Sequence, residues 1–414
     1  MLDMTKERYV VHYTENAVKI VQTQVSSVRK KDILRTSIRL YDGKSMGVAG
    51  ALGECNEEEL VAKAKESLKL AIPYPYEASR ELVREERHRS DLQGEEELLE
   101  ATEEILQKLR RDQPHFSFSH LFKSARVESS MQNDLGLNLK SSREFISLEL
   151  VIKDKKSSNI IDAMTGYEGR KFHKDSFIEL TNMICDAYMN QLPDIEEGVY
   201  PVVFRSDDMT YYKKLYESLN GMLFGSGGSL LSGKIGKKVF SDKVTLFQTR
   251  NVEDGFFEPF FDKEGTVNDS DRFALIEDGV VISPYTDKKT AATFNLTHTG
   301  SAGGEYDGLP ELGMPMLKFA ESHKTAKQLL DGQKAIFILI ASGGDFTQDG
   351  RFATPAQLAF LFDGDRFIGR LPELSLSSHI FDMLGKDFRG VSSEDFLGIE
   401  NAKLTIMDMN VKKL

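Results

Sequence analysis

An α+β fold in two domains, the second dominated by sheet, follows from three features of the sequence. Long stretches alternate apolar and polar residues, as half-buried antiparallel strands do. Several segments instead carry apolar residues at helical spacing. A break bearing proline, acids and glycine, "PDIEEGVYPVVF", divides the chain near residue 195, giving domains over 1–195 and 196–414. A length of 414 residues, too long for one ordinary core, agrees with that division.

The elements follow in order. Residues 9–31 and 33–53 alternate and read as antiparallel strands. "NEEELVAKAKESLKLA" reads as a helix: Asn56 can cap it, Glu59 holds the reciprocal position, and Leu60, Val61, Ala64 and Leu68 form one stripe. "PYPYEASRELVREERHRSD" is charged and broken by prolines, which predicts a surface connection. Leu98, Leu99, Ile105, Leu106 and Leu109 mark a second helix whose acidic start and basic end suit the helix dipole. Residues 116–170 alternate again, and a third helix is predicted from Lys174 to Leu192 with Phe177, Thr181, Ile184 and Tyr188 on one side. Beyond the break the chain is richer in glycine and strand-like runs, with helices predicted near 207–222 and near 315–331; the latter contains His323.

Composition narrows the function. Hydrophobic residues at 40% and charged residues at 29% make an ordinary globular balance. The longest apolar run, "AIFILIA" at 335–341, suits a buried strand and is far too short to span a bilayer. The N-terminus lacks the basic and apolar succession of a secretory signal, and the two cysteines, Cys55 and Cys185, form no disulfide framework; both point to the cytoplasm. Cys185 falls on the apolar side of the third helix, a packing position. A formal charge of -12, from 65 acidic and 53 basic residues, repels phosphate backbones and argues against nucleic acid as a partner.

Two motifs invite chemistry and do not sustain it. "GGSLLSGKIG" supplies Gly-x-x-x-x-Gly-Lys from Gly228, but Ile235 follows Lys234 where a phosphate loop needs a magnesium-binding hydroxyl, and the preceding segment is helical. "DFTQDG" sets Asp345, Thr347, Asp349 and Gly350 in calcium-loop order, yet Ala356 occupies the twelfth position, so a tight turn between strands is expected. No two of the eight histidines combine zinc-helix spacing with a helical segment: His115 and His120 flank "FSFS" in strand-like surroundings, where alternation sends them to opposite faces.

Several longer segments resemble one family. "LYESLNGMLFGSGGSLLSGKIGKKVFSDKVTL", "FFDKEGTVND", "FALIEDGVV", "TFNLTHTGSAGG" and the run from "ASGGDFTQDG" to "VSSED" are similar to the C-terminal part of the TldD/PmbA family. "LYDGKSMGVAGALGECNEEELVAKAKESL" and "ARVESSMQNDLGLNL" resemble its N-terminal domain. These are the peptidase-associated proteins also called modulators of DNA gyrase. The resemblance implies an N-terminal α/β domain, a C-terminal domain with a large curved, mainly antiparallel sheet, and two-fold dimers enclosing a chamber. TldD-like members carry a His-Glu-x-x-x-His zinc helix; TldE/PmbA-like members lack it and pair with them to trim unfolded peptides.

Aligned by its downstream glycines, "YESLNG" places Tyr216 and Gly221 where the two histidines belong and leaves only Glu217. A zinc peptidase needs imidazole ligands and a carboxylate acting on metal-bound water, so these positions carry no catalytic residue and no metal. The implied role is a non-catalytic TldE/PmbA-like subunit, with zinc expected only in a TldD-like partner, or a homodimer, and an unfolded peptide as substrate. Gly225, Gly227, Gly228, His298, Gly300, Gly303, Gly304, Ser342, Gly343, Gly344 and Asp345 are the candidate peptide-binding positions, because glycine lets an extended chain approach the backbone. The alternatives are an active metallopeptidase with atypical ligands and a protein-binding scaffold.

Overall fold

In the computed structural model, which describes residues 4–92 and 94–414, the alternating stretches of the first half become long strands. β1 (Thr5–Val21) and β2 (Gln24–Tyr41) form an antiparallel hairpin, and β3 (Met46–Leu52) continues the sheet outward. Helix α1 (Glu57–Leu68) then folds back on β3 with Leu60 and Ala64 buried. Asn56 caps it by accepting from the Glu58 N–H at 2.9 Å. Gly47 on β3 is required by this packing: a Cβ there would stand 2.6 Å from the Leu68 backbone nitrogen.

The segment from 73 to 91 is not merely a surface connection. Its Val83–His88 stretch forms β4, paired in parallel with β6 (Asn138–Asp154) along one side of the sheet. Charge hid this strand, and tertiary partners explain it: Arg84 meets Asp271 at 2.5 Å and Glu86 meets Arg143 at 2.5 Å. Between them α2 (Glu95–Asp112) and β5 (Phe116–Asn133) complete the order β3-β2-β1-β5-β6-β4, with β7 (Ala163–Gly169) also on β6.

Helix α3 (Lys174–Met189) packs with α2 over this sheet. Cys185 is buried on its inner side, where burial raises the thiol well above its usual range. One core runs through both halves of the chain, joining Leu106, Phe118 and Phe177 to Phe337, Phe360 and Phe362.

Asp162, at the entrance to β7, ties this core to its edge. Its carboxylate accepts from Lys153 Nζ at 2.9 Å, the Asp154 N–H at 2.9 Å and the Tyr188 hydroxyl at 2.9 Å. Burial by itself would raise this carboxyl; hydrogen bonds from Ser157, Lys153, Tyr188 and the Asp154 backbone outweigh it and hold the group at about 2. A depressed carboxyl stabilises the fold above its unfolded value of 3.8 and ceases to do so as pH falls through about 2. Asp162→Asn is therefore expected to remove roughly 2 kcal/mol of stability at pH 6 and almost none at pH 2. Urea unfolding at the two pH values measures the difference; equal losses at both would contradict it.

The second half is built on a sheet that curves until it meets itself. β8 (Gly198–Arg205), β15 (Ala335–Ala341), β17 (Arg351–Phe362), β19 (Leu374–His379) and β21 (Leu404–Lys413) form a continuous path, and β15 pairs with both β8 and β17. Such closure leaves fewer unpaired strand edges. Three short strands extend it: β16 (Asp345–Phe346) and β18 (Phe367–Arg370) on β17, and β20 (Phe388–Val391) on β21. "AIFILIA" is β15, as its apolar run predicts.

Between β8 and β15 lies a smaller layer. β9 (Leu246–Thr249), β10 (Arg272–Glu277), β11 (Val280–Val281) and β14 (Met316–Phe319) make one sheet, and β12 (Ala302–Gly303) pairs with β13 (Glu311–Leu312). Helix α6 (Lys288–Phe294) lies beside them, and the four-residue helix α8 (Ile380–Met383) follows β19.

Two predicted helices are corrected here. The helix near 207–222 is broken into α4 (Lys213–Ser218) and α5 (Gly221–Gly225), because Asn220 leaves helical geometry and caps α5 by accepting from the Met222 and Leu223 N–H groups. The helix near 315–331 is β14 followed by α7 (Ala326–Leu330). Thr325 and Gln328 form a capping box that starts α7 late, so His323 lies outside any helix.

Candidate functional site

A cavity of about 1070 Å³ separates the N-terminal sheet from the smaller layer. Tyr9, Tyr13 and Phe145 face it from β1 and β6; Tyr212 faces it from just before α4 and Tyr216 from within α4, and Gly303 and Gly304 face it from the end of β12. Alternation explains the sheet side, since Tyr9, Val11 and Tyr13 all project from one face of β1. Aromatic rings and backbone-exposing glycines therefore oppose each other across a space that could take an extended chain.

Two polar connections hold the walls apart at fixed spacing. In the first, Arg143 on β6 is 1% exposed. Its Nε donates to Glu86 at 2.6 Å, and its Nη1 donates to the carbonyls of Arg250 at 2.6 Å and Phe256 at 2.9 Å. Burial pulls this guanidinium below its ordinary value, with Glu86 opposing. Beside it, the Phe145 and Phe257 rings stack with centroids 5.0 Å apart.

The second connection is the turn Asp262–Thr266. Asp262 closes it by accepting from the Glu264 N–H at 2.9 Å and the Thr266 N–H at 2.8 Å, and Gly265 supplies φ +70. The turn then reaches into the N-terminal sheet. Arg39 donates to the Lys263 carbonyl at 2.5 Å, Lys263 Nζ donates to the Tyr9 hydroxyl at 2.8 Å, and Ser79 donates to the Glu264 carbonyl at 2.6 Å.

The degenerate motif lies on the opposite wall. Tyr216 is buried, its hydroxyl donates to the Pro315 carbonyl at 2.6 Å, and its ring centroid stands 5.5 Å from that of Tyr285. Burial raises this phenol far above its usual value, so it stays neutral. Glu217 is half exposed and pairs with Lys214 at 3.0 Å. Gly221 donates its N–H to the Tyr285 carbonyl at 3.0 Å, and a Cβ there would approach that same oxygen to 2.6 Å.

These residues do not fit a zinc ion. The first ligand position is a neutral phenol committed to a carbonyl, the second has no space for a side chain, and the helix breaks between them.

The remaining sequence-predicted positions are dispersed. Gly303 and Gly304 line the cavity. Gly225, the last residue of α5, packs directly under the Phe294 ring; in the turn that follows, Gly227 adopts φ +85 and Gly228 donates to the Leu223 carbonyl at 2.9 Å. His298 sits 3.4 Å from Glu264, and Gly300 adopts φ +74 beside Thr266. Ser342 exchanges two hydrogen bonds with Gln357, Gly343 adopts φ +82, Gly344 lies against Thr354, and Asp345 meets Lys213 at 3.2 Å.

Lys234 points to the Phe381 ring, 5.1 Å from its centroid, and the Asp345–Gly350 segment turns between β16 and β17, the tight turn expected. Sequence reasoning missed Arg143, Asp262 and Glu264. The last two stand as an Asp-x-Glu-Gly string that resembles any polar turn.

Comparison with known proteins agrees with this architecture. The chain superposes on TldE from Thermococcus kodakarensis with a TM-score of 0.80 at 17% identity, covering 99% of this chain and 96% of that one. It also superposes on a proposed modulator of DNA gyrase from Thermotoga maritima with a TM-score of 0.77 at 16% identity, covering 99% and 96%. A metalloprotease of Methanothermobacter thermautotrophicus is 27% identical over 175 residues, a match spanning 42% of this chain and 38% of that relative. Residues 197–413, just over half of the chain, match the PmbA/TldA metallopeptidase C-terminal domain. The curved, self-closing sheet and the sequence it is built from thus lead to one conclusion: the chain belongs to the PmbA/TldD family.

Proposed function

We propose that this chain is a non-catalytic, TldE/PmbA-like subunit that works in the cytoplasm with a zinc-bearing, TldD-like partner to trim unfolded peptides. One observation carries the reading: at the two positions where the motif requires histidine, Tyr216 is bonded to the Pro315 carbonyl and Gly221 has no room for a Cβ. Without an ion-bound water, Glu217 has nothing to deprotonate. The chain's contribution is then binding. The aromatic faces of Tyr9, Tyr13 and Phe145 hold apolar side chains, and the backbone at Gly303 and Gly304 offers hydrogen bonds to an extended peptide.

The purified chain is expected to leave an unstructured peptide intact. A mixture with a TldD-like chain should cleave it, and a chelator should abolish that cleavage. Chelator-sensitive cleavage by this chain alone would overturn the proposal.

A further inference from the structure

We propose that Asp262, Glu264 and His298 form a site for a divalent transition-metal ion that clamps the rim of the cavity to the N-terminal sheet. One ligand atom from each residue lies within 4.8 Å of the others. The ligands come from the turn after Phe261 and the loop before β12, not from α4 or α5, so this site is separate from the degenerate zinc motif.

His298 supplies the first argument. Its Nε2 is buried without a hydrogen-bond partner and stands 3.4 Å from a Glu264 carboxylate oxygen. That separation is long for an N–H···O bond. It matches the distance of about 3.3 Å between two ligands that each stand about 2.0 Å from one tetrahedral ion.

Charge supplies the second. Asp262 is 2% exposed and Glu264 3% exposed. Among the described residues neither forms an ion pair with a lysine or arginine. The adjacent Lys263 amine goes to the Tyr9 hydroxyl, and the Lys288 amine goes to the Glu77 carbonyl and Ser79. Two carboxylates this deeply buried call for a positive charge between them.

The carboxylates also retain coordinating capacity. An ionised carboxylate has about four acceptor sites. Asp262 uses them for the Glu264, Thr266 and Ala302 N–H groups, leaving one. Glu264 accepts from the Tyr74 hydroxyl at 2.6 Å and the Lys288 N–H at 3.0 Å, leaving two. Those partners would orient the ligands from outside, as second-layer hydrogen bonds do in metal sites. The His298 side chain is 29% exposed, which gives an ion and a completing water a way in. One imidazole and two carboxylates suit zinc, and manganese next.

Position gives the ion its effect. The Asp262–Thr266 turn is bonded to Arg39 and Ser79 of the first half, while the His298 loop runs directly into Gly303 and Gly304 at the cavity. An ion shared between them would brace the cavity rim against the turn that reaches the N-terminal sheet. The site stands independently of the non-catalytic reading, since an ion here supports binding geometry and not hydrolysis.

The full chain, stripped with a chelator and dialysed, should be titrated by calorimetry with zinc chloride and, separately, with manganese chloride. One ion of either metal per chain is expected, with Tm raised by roughly 3 °C or more at saturation. His298→Ala should lower the affinity at least tenfold while its metal-free Tm stays near that of the wild type. Should that variant unfold, His298→Gln replaces it, with the same loss expected. Absence of saturable binding of both metals to the wild type, or undiminished binding by the His298 variant, overturns the site. Peptide cleavage followed in the same samples tests the non-catalytic reading separately: a loaded chain that leaves peptide intact satisfies both.

Discussion

Arg143→Met is expected to lower the unfolding free energy by roughly 3–5 kcal/mol, the range for breaking one side of a buried ion pair. The guanidinium serves Glu86 and two backbone carbonyls at once, on opposite walls of the cavity. Methionine fills most of the volume but leaves the Arg250 and Phe256 carbonyls without this donor and Glu86 dependent on Arg84, Ser141 and His88. Both walls should loosen together, so mixtures with a TldD-like chain should also lose cleavage. Urea unfolding measures the first effect and peptide assay the second. A loss below about 1 kcal/mol would show that Arg143 is not what spaces the walls.

Grafting the missing histidines is expected to fail, for a reason of space. In Tyr216→His/Gly221→His the second substitution puts a side chain against the Tyr285 carbonyl, the acceptor of the Gly221 N–H. Overpacking of this kind costs roughly 1–3 kcal/mol, and the lost Tyr216 bond to Pro315 adds about 1 kcal/mol. The two imidazoles would also start from separate helices, α4 and α5, rather than from one regular turn. The double variant should therefore melt several degrees lower and show no chelator-sensitive cleavage. A stable double variant that cleaves peptide would mean that residue identity alone had disabled the motif. Tyr216→His by itself should fold, which isolates Gly221 as the obstacle.

Much of the local structure was legible in the residues. Periodicity located α1, α2 and α3 and the long strands β1, β2, β5 and β6, because each is long enough to repeat its alternation of apolar and polar residues many times. Asn56 marked the start of α1 for a similar reason, since its cap is made within the same turn. The disabled motif was legible too, but only through resemblance, with the glycines after α5 as landmarks. Misreadings occurred where a few residues had distant partners. β4 looked like a charged linker because Arg84 and Glu86 find their opposite charges at Asp271 and Arg143.

The sequence by itself determined the strand and helix periodicity, the acidic balance, the family resemblance and the absence of histidine at 216 and 221. Only the tertiary structure decided that β15 closes the second sheet by pairing on both sides, that Gly221 has no room for a substitute, and that Asp262 and Glu264 come within reach of His298. The division has a physical origin. Periodic burial is written between neighbours two to four residues apart. Close approach and buried charge belong to pairs the chain separates widely, and they acquire their energies only when folding removes water from both partners.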